Sequence, residues 1–145
     1  MGHHTTRKNG AWKFINLTNT NQIVDTVTRE IKQHRSVVVD SLSELLITRK
    51  IEDAVNLLTN MTMENREGEE CHFVLLTEGM QDKKTETTME HFAEGVIIFN
   101  TTWTADSTTR NIMIKKMRGT LIPTRRLPYN IGKKGFIIET AIRIT

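Results

Sequence analysis

"RSVVVDSLSELL", residues 35–46, is the stretch on which the reading of this chain turns. Three β-branched residues, Val37, Val38 and Val39, run directly into Asp40 and Ser41. β-Branched side chains favour the extended backbone, and a short apolar run with no polar alternation is the pattern of a strand in a parallel sheet covered on both faces. A strand that ends in a carboxylate then needs a reason.

Outward from this stretch the pattern alternates. Trp12–Leu17 is a short apolar run suited to a strand, and Asn19 or Thr20 can cap a helix in which Ile23, Val27 and Ile31 recur at four-residue spacing. That helix is expected to end near His34. After Val37–Asp40, Leu42–Ile47 leads into a second helical stripe of Ile51, Ala54, Val55, Leu58 and Met61. The polar turn Arg66–Glu70 precedes a strand over Cys71–Thr77, a short helix over Thr85–Phe92 and a fourth strand at Val96–Phe99. The order βαβαβαβ predicts a three-layer α/β fold with a mainly parallel sheet. The last third differs. Arg110–Met117, Tyr129–Ile131 and Gly135–Ile144 read as strands joined by short turns, hence an antiparallel hairpin extension.

Composition bounds the rest. The 145 residues, 37% hydrophobic and 26% charged, suit one domain with a real core. The expected organisation is a flexible terminus or tag remnant over 1–10 and a single domain over 11–145. No stretch approaches the roughly 20 apolar residues of a membrane span, and no secretory signal is visible. With one cysteine, Cys71, no intrachain disulfide can form, and the chain is expected in a reducing cytoplasm. The net charge of +3 permits anionic partners without requiring them.

In open α/β sheets, ligands bind beyond the carboxyl ends of the parallel strands. Asp40 and Ser41 stand at one such end, Thr77 and Glu78 at another. An aliphatic strand ending in Asp resembles a Walker-B strand, whose carboxylate reaches Mg²⁺ directly or through water. It is equally an ordinary strand exit followed by a helix cap. The downstream series weighs toward the first reading: "VVDSLSELL" (38–46), "FVLLTE" (73–78), "MEHFAEGVI" (89–97), "IKKMRGT" (114–120), "PYNI" (128–131) and "GFIIE" (135–139). In this order the segments resemble the KaiC-like branch of the RecA superfamily, including archaeal signal-transduction ATPase-like proteins, over residues 12–142.

The resemblance implies roles at matching positions. Asp40 is the carboxylate that organises Mg²⁺ when nucleotide is bound, with Ser41 beside it. Thr77 and Glu78 are sensor-like positions facing the phosphates. Lys116 and Arg118 form a basic pair presented across a subunit boundary to a neighbour's ATP; Gly119 lets the backbone turn close to that partner, and Thr120 belongs to the same phosphate or partner contact. It implies a P-loop-type fold, ATP and Mg²⁺ as ligands, and a homo-oligomer or partner protein.

The chain departs from that pattern in three respects. A phosphate-binding loop needs Gly-x-x-x-x-Gly-Lys-Ser/Thr, and none of the eight glycines (Gly2, Gly10, Gly68, Gly79, Gly95, Gly119, Gly132, Gly135) opens one. The strand that carries the loop and the family's paired catalytic glutamates have no counterpart either. The chain is therefore read as a fragment or a degenerate relative, without catalytic residues and without cofactor when isolated; ATP and Mg²⁺ are expected only where the loop is supplied.

Other residues carry plainer readings. The five histidines show no metal spacing, Cys71 reads as a small core residue, and Asp82–Glu86 as a solvated loop. Met61, Met63, Met89, Met113 and Met117 read as core filling. Arg125, Arg126, Lys133 and Lys134 read as a solvated basic face or an anion surface. Three functions remain: a regulatory ATPase-derived domain, the carboxyl-terminal part of an active ATPase, and a RecA-like nucleic-acid binder. The absence of an aromatic-interleaved basic stripe speaks against the third.

Overall fold

The computed structural model describes residues 20–65 and 68–139. The expected strand at Trp12–Leu17, the cap at Asn19, the terminus over 1–10 and the last residues of the Gly135–Ile144 strand lie outside them. The chain forms two compact units, Met1–Phe92 and Ala93–Thr145.

The first unit is built on helices over a short parallel ladder. Helix α1 (Thr20–Lys32) stops where His34 takes a positive φ of 55°. Strand β1 (Val38–Val39) pairs in parallel with β2 (Phe73–Val74), with Val38 opposite Phe73 and Val39 opposite Val74. Between them run α2 (Leu42–Thr48) and α3 (Ile51–Glu64), and α4 (Lys83–Phe92) follows β2. The four-residue spacing is realised in the core. Val27 and Ile31 of α1 pack with Ala54, Leu57, Leu58 and Met61 of α3, Leu42 and Leu45 of α2, and Met89 of α4. Burial of each large side chain contributes about 2 kcal/mol. Lys32 and Glu64, 3.4 Å apart, bridge α1 and α3 at the surface.

Among the described residues, one face of the parallel pair lies against the core. Val37, Val39, Val74 and Leu76 lie against the core, whereas Val38, Phe73 and Leu75 are 42%, 53% and 44% exposed. The expectation of two covered faces rested on uniform apolarity, and that pattern does not say whether a second layer is present.

The second unit is an antiparallel sheet in the order β3–β4–β5–β6, comprising β3 (Gly95–Trp103), β4 (Thr108–Met117), β5 (Leu127–Gly132) and β6 (Gly135–Ile138). The extension expected from Arg110 onward is this sheet. The fourth strand of the series, Val96–Phe99, lies in β3 and pairs antiparallel with β4. Tyr129 is buried and makes edge or tilted ring contacts with Phe99 and Phe136, centroids 5.8 and 4.8 Å away. Ile112 is the other buried residue of this sheet.

Among the described residues β2 has one strand partner, β1, and β3 has one, β4. Neither is flanked on its second edge by a described strand.

Candidate functional site

The carboxyl ends of β1 and β2 are joined by a chain of backbone and side-chain hydrogen bonds. The Leu75 amide donates to the Val39 carbonyl at 2.9 Å, and the Leu42 amide donates to the Leu75 carbonyl at 2.8 Å. One step further, the Thr77 amide donates to Ser43 Oγ at 2.8 Å. Ser43 is 1% exposed, so this bond satisfies a hydroxyl that would otherwise be buried without an acceptor role. The turn after β1 and the turn after β2 are thereby held together.

Asp40 sits at the head of this arrangement, exposed and with no hydrogen bond or ion pair among the described residues. Its peptide bond to Ser41 is cis. Ser41 is the cap of α2: its backbone is extended, and its Oγ accepts the Glu44 amide at 3.4 Å. The serine is thus spent on the helix cap, and the aspartate is left open to solvent.

Thr77 and Glu78 are exposed beyond β2. The loop they open is fastened by Glu86, which the sequence reading placed in a solvated loop. Asp82 instead caps α4, its Oδ1 accepting the Thr85 amide at 2.7 Å. Hydrogen bonds from the Thr85 amide first, and then from its side chain, hold the carboxyl below the ordinary carboxylate value. Glu86 then falls in the first turn of α4, 6% exposed, where Oε1 accepts the Gly79 amide at 2.6 Å and Oε2 meets Lys83 Nζ at 3.4 Å. Gly79 has φ +83°, a backbone state that disfavours any Cβ. Glu86 and Ser43 were missed as positioning residues. The signal for Glu86 was the Asp82-x-x-Thr85 cap spacing; Ser43 gave none beyond standing one residue past Leu42.

His72 supports the same strands from their amino ends. Its Nδ1 accepts the Val37 amide at 3.2 Å. Burial lowers its pKa below the ordinary 6.5, against the opposing pull of Glu70. Cys71, read as a core residue, is exposed, because β2 begins only at Phe73.

The remaining candidate residues lie in the second unit. Strand β4 bulges against β3 between Val96 and Ile97, so Val96 pairs with Lys116 while Ile97 pairs with Ile114. Lys116 is half-buried and Arg118 exposed. Arg118 stands past the end of β4, where its amide donates to the Glu94 carbonyl at 3.0 Å and its guanidinium pairs with the Glu94 carboxylate. Gly119 has φ +71°, in the left-handed region, and Thr120 is exposed. Residues 93–145 hold nine Lys and Arg against three Asp and Glu, so positive charge is concentrated in this unit.

Mg²⁺ bound with nucleotide uses one or two carboxylates while phosphates and water complete its shell. The open Asp40 carboxylate fits that part. No group of three or more His, Cys, Asp or Glu suited to a metal occurs among the described residues. No described helix is long and apolar enough to cross a membrane.

Comparison with known proteins adds the family. Residues 3–142 match the family described as "ATPase: KaiC". Among solved structures, a KaiC-like protein of the hyperthermophilic archaeon Pyrococcus horikoshii is similar with a TM-score of 0.64 at 20% identity, over 86% of this chain and 56% of that one. At that identity the likeness shows a shared α/β fold of the KaiC-like RecA type, and this chain spans little more than half of the archaeal protein. No curated protein matches.

Proposed function

The chain belongs to the KaiC family of ATPases, and from that premise we propose that it is a regulatory, signal-transduction relative that acts through assembly or partner binding and does not turn over ATP alone. The observation that carries this reading is an open Asp40 carboxylate at a braced strand end, in a sequence without a phosphate-loop pattern. Phosphate binding by this class of site depends on a row of loop amides and a lysine around the β- and γ-phosphates. A lone carboxylate repels phosphate unless a metal ion stands between them. Asp40 is assigned the Mg²⁺-organising role, and Thr77 and Glu78 the sensor positions. Lys116, Arg118, Gly119 and Thr120 form a second surface, for a phosphate or a partner subunit.

Titration calorimetry with Mg-ATP tests the proposal. The expected dissociation constant is at or above roughly 1 mM, where binding is worth only about 4 kcal/mol, with no phosphate release. A micromolar constant, or turnover by the purified chain, overturns it.

A second reading has its own support. The chain spans 56% of the archaeal structure it resembles, as the carboxyl-terminal part of an active ATPase would. A reading frame that continues upstream into a Gly-Lys-Ser/Thr loop selects this alternative.

A further inference from the structure

The amino ends of β1 and β2 are tied together by two imidazoles and one carboxylate. His34 stands in the turn after α1, its Nδ1 3.0 Å from Glu70 Oε1. His72 Nδ1 accepts the Val37 amide at 3.2 Å, and the Phe73 amide donates to the Val37 carbonyl at 2.9 Å. Val37 is therefore held through both its amide and its carbonyl by the segment that enters β2. A neutral ring that accepts at Nδ1 carries its proton at Nε2. That nitrogen is buried and has no hydrogen-bond partner among the described residues. A buried donor left without an acceptor is rare in a purely structural histidine.

Glu70 is fixed by its own backbone, whose carbonyl accepts Asn65 Nδ2 at 2.9 Å. Its carboxylate bonds to His34 through Oε1, while Oε2 packs over Gly68, where an added Cβ would come within 2.5 Å of it. The other charged groups at the end of α1 are committed: Glu30 to Arg29 and Arg35 at 3.7 and 2.6 Å, and Lys32 to Glu64 at 3.4 Å. Glu69 and Cys71, which flank Glu70, are exposed.

We propose that His72 is a proton-operated latch on the amino end of β1, and that Glu70 passes from His34 to His72 when the latch opens. A solvent proton turns Nδ1 from an acceptor into a donor, so the ring and the Val37 amide present hydrogens to each other and their bond breaks. The ring then carries a charge and two donors. Burial holds its pKa below 6.5, and Glu70, two residues back on the same segment, pulls it upward. The latch is accordingly closed at neutral pH and opens below pH 6.5. Val37 lies three residues before Asp40 on the same strand, so the latch releases the strand that carries the Asp40 carboxylate.

Amide and imidazole magnetic resonance of the free chain between pH 8 and pH 5 tests the proposal. The Val37 amide shift is expected to follow the His72 ring with one shared midpoint, and the Asp40 amide to follow both. At matched intrinsic exchange rate, Val37 protection falls roughly tenfold or more, because the bond exists only while Nδ1 is unprotonated. His34→Ala, a change at an exposed side chain, releases Glu70 and raises the His72 midpoint, whereas Glu70→Gln lowers it. His72→Gln offers the Val37 amide an acceptor that does not titrate, and keeps that amide protected throughout. The proposal is overturned if Val37 stays flat where His72 titrates, if Asp40 does not follow, or if His34→Ala leaves the His72 midpoint in place. Titration of Val37 that persists in His72→Gln also overturns it. No nucleotide enters these measurements, so a micromolar Mg-ATP constant, which overturns the functional reading, leaves the latch standing.

Discussion

Ser43 Oγ accepts the amide hydrogen of Thr77 at 2.8 Å, across a sequence separation of 34 residues. It is the bond by which the exit of β1 senses the exit of β2. Ser43→Ala leaves a partly buried amide without an acceptor, which costs about 1–3 kcal/mol. Urea unfolding of the variant is expected to show that loss as a lower midpoint with an unchanged slope. A loss below 0.5 kcal/mol, an order-of-magnitude threshold for exposed positions, would show that water replaces the hydroxyl.

Glu86 does the corresponding work for the loop after β2. Glu86→Ala removes a carboxylate that accepts the Gly79 amide and meets Lys83, an interaction of the charged class worth about 1.5–3 kcal/mol. Hydrogen exchange is expected to lose protection first at Gly79, and proteolysis to quicken between residues 77 and 82. Unchanged exchange at Gly79 would remove Glu86 from the positioning role.

Among the described residues, His72 contributes to the pH dependence of folding above the carboxylate range. His72 has a folded-state pKa below 6.5, because burial disfavours its charged form. On acidification the unfolded chain binds the proton first, so the stability tied to neutral His72 is full above pH 6.5 and falls as pH drops below it. Protonation also removes the lone pair with which Nδ1 accepts the Val37 amide. Melting temperatures from pH 8 to pH 5 are expected to fall more steeply for the native chain than for His72→Gln. Parallel curves would show that the ring titrates without effect on β1.

The sequence was most legible where a period was long and one-sided. Val27, Ile31, Ala54, Leu58 and Met61 were identified by spacing and are buried. The hairpins of the last third followed from short alternating runs between turns. The exposure of Val38 and Phe73 was not legible, because a run of apolar residues specifies the strand but not whether both of its faces are met. Met63 fitted the same core pattern as Met61 and is 55% exposed, the next-but-one helical position falling on the opposite side. At the site, Asp40 and Ser41 were visible as a motif, whereas Ser43 and Glu86 act through hydrogen bonds that only the folded chain brings about. The bulge at Val96 and Ile97, and the Glu94 partner of Arg118, belong to strand pairing, which one segment of sequence does not encode.

Gly119 gives a prediction about backbone alone. A Cβ built there meets nothing within 4 Å, yet φ is +71°. Gly119→Ala therefore costs only the strain of a left-handed residue, roughly 1–2 kcal/mol. Gly119→Asn is expected to recover much of that in thermal unfolding, since Asn tolerates this backbone state best among side chains. Equal losses for the two would point to a contact and not to φ.

The surface formed by Lys116 and Arg118 makes the last prediction. Arg118 is already paired with Glu94, both side chains more than half exposed at 78% and 52%. Such a pair adds about 0–1 kcal/mol to folding, so Arg118→Ala should hardly move the melting temperature. For anion binding the same pair has the opposite consequence, because a phosphate or an acidic partner must compete with Glu94 for the guanidinium. Glu94→Gln is therefore expected to strengthen binding of inorganic triphosphate, while Lys116→Ala with Arg118→Ala abolishes it. Both effects should fade as ionic strength rises and the screening length falls from about 10 Å at 0.1 M toward 3 Å at 1 M. If Glu94→Gln weakens the binding instead, the carboxylate is orienting Arg118 and not competing for it, and the surface works only as a preformed pair.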